Sequence, residues 1–145
     1  VAQDVASKLR VHDIKTCDAV EVNRLLDSGE VFDQGTDFTE IAKKMKADYV
    51  ILVSFTSFRI HPEGSPGLYQ GAARASLHVW EMTGKGNDRK LKGIYRTYHD
   101  TKYPAHQPVE SSQQTEETFV VKFMDQLCEE LARFFFDHPP GVEIG

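Results

Sequence analysis

The stretch YHDTKYPAHQPVE, residues 98–110, gathers side chains that bind zinc or move protons: His99, Asp100, His106 and Glu110. Imidazole nitrogens and carboxylate oxygens are ordinary zinc ligands, and the same groups act as general acids and bases. Their spacing argues against a shared site. His99 and Asp100 are neighbours on an expected strand, so their side chains leave on opposite faces. His106 sits in a loop bounded by Pro104 and Pro108, at no fixed spacing from His99. A second segment, HPEGSPG, places His61 and Glu63 between two expected strands, where carboxylates near His138 can join them only if the fold allows. A small-ligand or metal site built from His61, His99, Asp100 and His106 is therefore the alternative functional reading. The sequence assigns no catalytic residue, no metal ligand set and no cofactor.

A third group reads differently. In GAARASLHVWEM, strand alternation sends Ala75, Leu77 and Val79 to one side and Arg74, Ser76, His78 and Trp80 to the other. Arg74 and Trp80 are about 20 Å apart along a strand, too far for a mutual cation–π contact. If no helix covers that side, Arg74, His78 and Trp80 form a partner surface, with a Trp as anchor and with His61 and Glu63 of the neighbouring loop as further contacts. Cover by another element of the same domain is the competing reading. GKGND lacks the lysine and hydroxyl of a phosphate-binding loop and lies between strands, and no serine sits in a nucleophile elbow. Cys17 and Cys128 have neither CxxC nor zinc-finger spacing. Cys128 lies on an apolar helix stripe and reads as a small buried hydrophobe; a Cys17–Cys128 disulfide is the alternative in an exported protein.

The elements that must position these residues are legible. Val1–Arg10 has helical spacing at Val5 and Leu9, and RVHDIKT has the look of a short strand. Asp18 with Glu21, and Asp37 with Glu40, have capping-box spacing and open two helices, the second being FTEIAKKMKA. Val22, Leu25 and Leu26 face inward in the first, which Ser28-Gly29 ends. Tyr49–Val53 is apolar throughout, which suggests a central strand buried on both faces, running out toward solvent from Ser54. GAARASLHVWEM and KLKGIYRTYHDTKY are two more strands, joined by the turn TGKGND. Ser111 with Gln114 is placed to cap a last helix, residues 115–138. There Val120, Phe123, Met124, Leu127, Cys128, Leu131, Phe134 and Phe135 make a wide stripe, ended by HPPG. The expected fold is an α/β two-layer sandwich: a mostly antiparallel sheet of three or more strands, with helices packed on it and a long C-terminal helix.

The chain has 145 residues, which suits one domain over residues 1–145. Its formal net charge of −5 argues against a broad phosphate-binding surface, so no nucleic-acid partner is expected. Lys85, Arg89, Lys90 and Lys92 are the nearest approach to a basic patch and belong to a solvated hairpin tip. No apolar run reaches the length needed to span a bilayer.

EIAKKMKADYVILVSF resembles the helix, Ala-Asp-Tyr and apolar-strand phrase of bacterial envelope proteins with an anticodon-binding-like α/β domain. Those include the N-terminal domain of the Tol-system translocation protein, the curli-secretion lipoproteins and the penicillin-binding-protein activator lipoproteins. The chain more closely resembles a group of uncharacterised bacterial lipoproteins that share ADYVILVSFTSFRI, LYQGAARASLHVWE and a terminal F…L…LARFFFDH; the likeness runs from Phe38 to His138. It implies a non-enzymatic protein-interaction or structural domain with a protein partner in the cell envelope. It also implies an apolar strand, and a signal or lipid-anchor segment, upstream of Val1. Membrane association is expected only through such an anchor. Nucleic-acid binding by fold analogy is a third reading, opposed by the acidic balance.

Overall fold

The structure, a computed structural model, describes residues 1–18, 21, 22, 24 and 38–136. Helix α1 spans Ala2–Val11 and α2 spans Thr39–Lys44. Strands β1 (Tyr49–Arg59), β2 (Leu68–Tyr69), β3 (Gly71–Thr83), β4 (Lys90–Tyr103) and β5 (Val109–Glu110) follow. Helix α3 (Glu116–Ala132) ends in a 3₁₀ turn, Arg133–Phe135. The α/β architecture expected from the sequence is present: an antiparallel sheet in the order β1-β3-β4, with a long C-terminal helix against one face.

Alternation along β3 decides which face is covered. Ala73, Ala75, Leu77 and Val79 are buried; the first three form one core with Phe119, Phe123, Leu127, Cys128, Leu131 and Ala132 of α3 and with Val5 and Leu9 of α1. Helix α1 lies along α3: Lys8 bonds Asp125 at 2.8 Å and approaches Glu129 at 3.5 Å, and His12 stacks on Phe136 at 3.6 Å. The hydrogen bond to Asp125 outweighs partial desolvation and raises the Lys8 pKa, which keeps the ammonium charged. Glu129 and Arg133, one turn apart, lie 3.7 Å from each other. Cys128 is buried in this core and Cys17 is 3.8 Å from the Met45 carbonyl; both are free thiols, so no disulfide joins them.

Four local expectations change. Tyr49–Val53 is not a central strand: three consecutive strands joined by antiparallel connections put the second of them, β3, in the middle. Tyr49 is accordingly 55% exposed and Ile51 36%. RVHDIKT is not a strand. α1 runs to Val11, Asp13 takes a left-handed conformation, and Ile14 donates back to the Leu9 carbonyl as it joins the core. The α3 cap is Thr115 rather than Ser111, its hydroxyl accepting from the Thr118 N–H at 3.2 Å. On α3 the buried set includes Phe119 and Gln126, which the expected stripe omits, while Phe134 is 39% exposed. Of the helix expected from Asp18, the described part shows Val22 donating to the Asp18 carbonyl at 3.0 Å. Leu25, Leu26, Ser28, Gly29, Asp37, His138 and the Pro139-Pro140-Gly141 stop lie outside the described residues.

The long β1–β3 connection has a structural use. Its second half forms β2, which pairs with β5 as a small separate sheet. The Gln70 side chain donates to the Pro104 carbonyl at 3.0 Å, and the Ser111 N–H donates to the Gly67 carbonyl at 3.0 Å. Two loops from the same end of the sheet are thereby held together over α3. Tyr69 stacks on Phe119 at 5.0 Å, and Tyr103 lies 5.7 Å from it. At Gly71 the central strand meets the helix directly. A Cβ there would stand 2.5–2.7 Å from the Phe123 ring, which is itself buried and stacked on Phe58 at 5.3 Å. Gly71→Ala is therefore expected to lower stability by about 1–3 kcal/mol through overpacking. The measurement is a lowered urea midpoint at unchanged denaturant slope.

Candidate functional site

Register sorts the chemistry-bearing residues onto the two faces of the sheet. Opposite the buried β3 residues, β4 directs Tyr95, Thr97, His99, Thr101 and Tyr103 toward the helices. Its alternate residues Arg96, Tyr98, Asp100 and Lys102 join Arg74, Ser76, His78 and Trp80 on the open face.

On the helix side, His99 meets α3. His99 Nε2 is 2.8 Å from Glu130 Oε2, and the Thr101 hydroxyl donates to the same oxygen. Gln126, one helical turn before Glu130, donates to Oε1 at 2.9 Å. Phe134 meets the His99 ring edge to face at 5.5 Å. Burial alone would raise the Glu130 pKa; hydrogen bonds from His99, Thr101 and Gln126 outweigh it and hold the carboxyl below its ordinary value. With Glu130 ionised, its oxygens accept from all three donors. Thr101 spends its proton on the carboxylate and so is not poised as a nucleophile. The arrangement is a polar clasp between β4 and α3, in a seam where an unpaired carboxylate would be costly.

On the open face the cross-strand rows read Arg59-Ala72-Lys102, Ser57-Arg74-Asp100, Ser54-Ser76-Tyr98, Leu52-His78-Arg96 and Val50-Trp80-Gly93. Arg59, Arg74, Arg96, Tyr98, Asp100 and Lys102 are exposed. Arg74 and Arg96 flank the Tyr98 ring, 5.5 Å and 6.0 Å from its centroid, and Arg74 lies 3.6 Å from Asp100. His78 packs on Trp80 with ring centroids 3.7 Å apart, and Phe38 reaches Trp80 from the start of α2 at 6.0 Å. Desolvation, and then the Arg96 charge, lower the His78 pKa, which favours the neutral imidazole. An open groove of about 670 Å³ at this end of the sheet is lined by Ser57, Arg59, Ala72, Arg74, Asp100 and Lys102 among others.

The residues singled out in the sequence separate accordingly. Arg74, His78 and Trp80 all lie on the open face, His78 against Trp80 and Arg74 over the Tyr98 ring. His61 is not with them: its Nδ1 lies 2.8 Å from the Leu68 carbonyl and its ring stacks on Tyr69, on the helix side. Glu63 is exposed in the connecting loop. His99 and Asp100 point to opposite faces, as strand alternation requires, and His106 is exposed in the β4–β5 loop. Among the described residues, no three His, Cys, Asp or Glu side chains are grouped to hold a metal ion. Sequence reasoning misses Glu130, Gln126 and Thr101. The signal for them is a pair of polar residues four apart, Gln126 and Glu130, between the apolar positions of α3.

Comparison with family models, with curated proteins and with solved structures finds no match to this chain. Among the described residues no helix is long and apolar enough to cross a membrane.

The clasp has a pH signature. A carboxyl whose folded pKa is depressed stabilises the fold fully above its unfolded value and stops doing so as pH falls through the folded value. Urea unfolding of wild type and Glu130→Gln is the measurement. Wild type is expected to be the more stable by a constant margin near neutrality, and that margin to shrink as pH falls below the ordinary glutamate value of about 4.3.

Proposed function

We propose that this chain is a non-enzymatic protein-interaction domain of an envelope-associated bacterial protein, with the open face of its sheet as the contact surface. The composition of that face carries the reading. Arg59, Arg74, Arg96 and Lys102 share this face with Tyr98, His78 and Trp80, and Asp100 is the acid that register places among the cations. Such a concentration of cations stands out on a chain of net charge −5. Arg, Tyr and Trp are the side chains that most often anchor protein contacts, because each joins a large apolar area to a polar group. Charge complementarity favours an acidic protein segment as the partner. Two further points support a binding role over catalysis: the donors of the half-buried clasp are all engaged by Glu130, and the face itself carries a broad, open groove. The envelope setting follows from the resemblance of residues 38–138 to envelope lipoproteins.

Photo-crosslinking in living cells tests the proposal. A photoreactive residue at Ser76 or Tyr98 is expected to give discrete protein adducts, and one at Val121, exposed on α3, to give none. Arg74→Glu together with Arg96→Glu should reduce the Ser76 adducts about tenfold, the loss expected when anchoring residues are removed. His99→Gln and His106→Gln should leave them unchanged. A turnover reaction abolished by the histidine changes and untouched by the arginine changes would defeat the proposal. So would binding of single-stranded RNA whose affinity falls steeply with salt.

A further inference from the structure

The two margins of the sheet are built differently. The β4 margin carries Lys90, Lys92, Arg96 and Lys102, all exposed. β1 has no charged side chain from Tyr49 to Phe58. Among the described residues, no strand pairs with its outer side. An edge strand that is to stay unpaired is usually guarded by charge, proline or a bulge. The irregularity in β1 lies between Phe55 and Ser57, so Tyr49–Phe55 runs in unbroken register for roughly 24 Å.

Backbone polarity along this segment follows from one bond. The Met82 N–H donates to the Asp48 carbonyl at 2.8 Å, just beyond the Tyr49–Glu81 pair. Antiparallel ladders alternate, so Val50, Leu52 and Ser54 turn their backbone groups toward β3, and Tyr49, Ile51, Val53 and Phe55 turn theirs outward. The same four side chains lie on the helix side, opposite Glu81, Val79, Leu77 and Ala75. The helices leave them partly uncovered: Phe55 is 39% exposed, comparable to Ile51 and less than Tyr49. The outward donors and acceptors and the exposed apolar stripe therefore belong to the same residues.

We propose that a second copy of this chain pairs antiparallel with β1 about a two-fold axis at Leu52, making one continuous six-stranded sheet. The axis sets Tyr49 of one copy opposite Phe55 of the other, and Ile51 opposite Val53. Aromatic meets aromatic and β-branched meets β-branched, the cross-strand pairs that stabilise a sheet. All four outward backbones are used, and no charge faces a like charge, because the segment has none. The contact is isologous and closes on itself, so it yields a dimer rather than a fibre. An edge about 24 Å long and one strand deep buries less than the roughly 800 Å² per partner of a standard interface, so the dimer is weak and depends on concentration. This edge is separate from the open face, and the dimer stands or falls independently of a partner bound there.

Sedimentation velocity of the 145-residue chain over a concentration series reads the association directly. Wild type is expected to pass from monomer to dimer, and Ile51→Lys to weaken association at least tenfold. Placing a thiol on the axis checks the register. In a Cys17→Ser background, Leu52→Cys sits in a non-hydrogen-bonded pair with its own copy, at a Cα separation of about 4.5 Å. Mild oxidation should then give a covalent dimer, whereas Ile94→Cys on β4 should not. The cross-link decides the matter even if Ile51→Lys fails to fold. A monomer at every concentration, a dimer that Ile51→Lys leaves intact, or an edge occupied by a different polypeptide would overturn the proposal.

Discussion

The sheet and its long helix meet most tightly at Gly71, where the first residue of the central strand lies flat against the ring of Phe123. Without a side chain at that position, α3 can settle onto the sheet at the end where the chain enters β3. The aromatic residues of the core gather around this point. Phe58 of β1 stacks on Phe123, Tyr103 of β4 lies between Phe119 and Phe123, and Tyr69 of β2 stacks on Phe119. One helix thus touches the ends of every strand in the main sheet, and the small β2–β5 sheet as well. A close-packed interior transmits any misfit at such a junction, because its neighbours have no spare volume to move into.

That junction also limits what the helices can cover. α3 is about 25 Å long and lies along β3 and β4, with α1 beside it on the same side. Toward the middle of β4 the seam turns polar, and the His99-Thr101-Gln126-Glu130 clasp replaces apolar packing there. The carboxylate remains ionised because three donors compensate its burial. Beyond the reach of α3, the helix-side residues of β1 are left at the rim; among the described residues the reverse face is met at Trp80 by Phe38 and is otherwise exposed around Arg59, Arg74, Arg96, Tyr98, Asp100 and Lys102. With α1 and α3 packed on one side of the three-stranded sheet, two surfaces are left: a charged, aromatic face and an uncharged edge. Their chemistry differs enough that they suit different contacts, one selected by charge and the other by backbone pairing.

Much of this is legible locally. The alternation of Ala75, Leu77 and Val79 with Arg74, His78 and Trp80 appears in the structure as the sequence predicts, because a strand's side-chain period is fixed by its backbone. The limits of β4, Lys90–Tyr103, coincide with the run that reads as a strand, since glycines and an Asn-Asp pair bound it on one side and Pro104 on the other. The apolar run Tyr49–Val53 misleads because continuous hydrophobicity cannot distinguish a doubly covered strand from an edge strand that the helices cover only in part. RVHDIKT misleads because Ile14 is drawn back onto the core by α1, a tertiary pull that outweighs strand propensity. The surplus length of HPEGSPG becomes intelligible only with β5 alongside β2, two segments about forty residues apart.

By itself, the sequence determined the period of each element, the two faces of every strand, the wide stripe of the last helix and the separation of His99 from Asp100. All of these follow from backbone geometry acting over a few residues. Only the tertiary structure decided which strand lies in the middle, which face the helix covers and which polar groups meet across the seam. Those outcomes depend on contacts between residues far apart in the chain, such as Gly71 with Phe123 and His99 with Glu130. No local pattern encodes such a pair, because each partner's role is set by the volume and hydrogen-bonding capacity of the other.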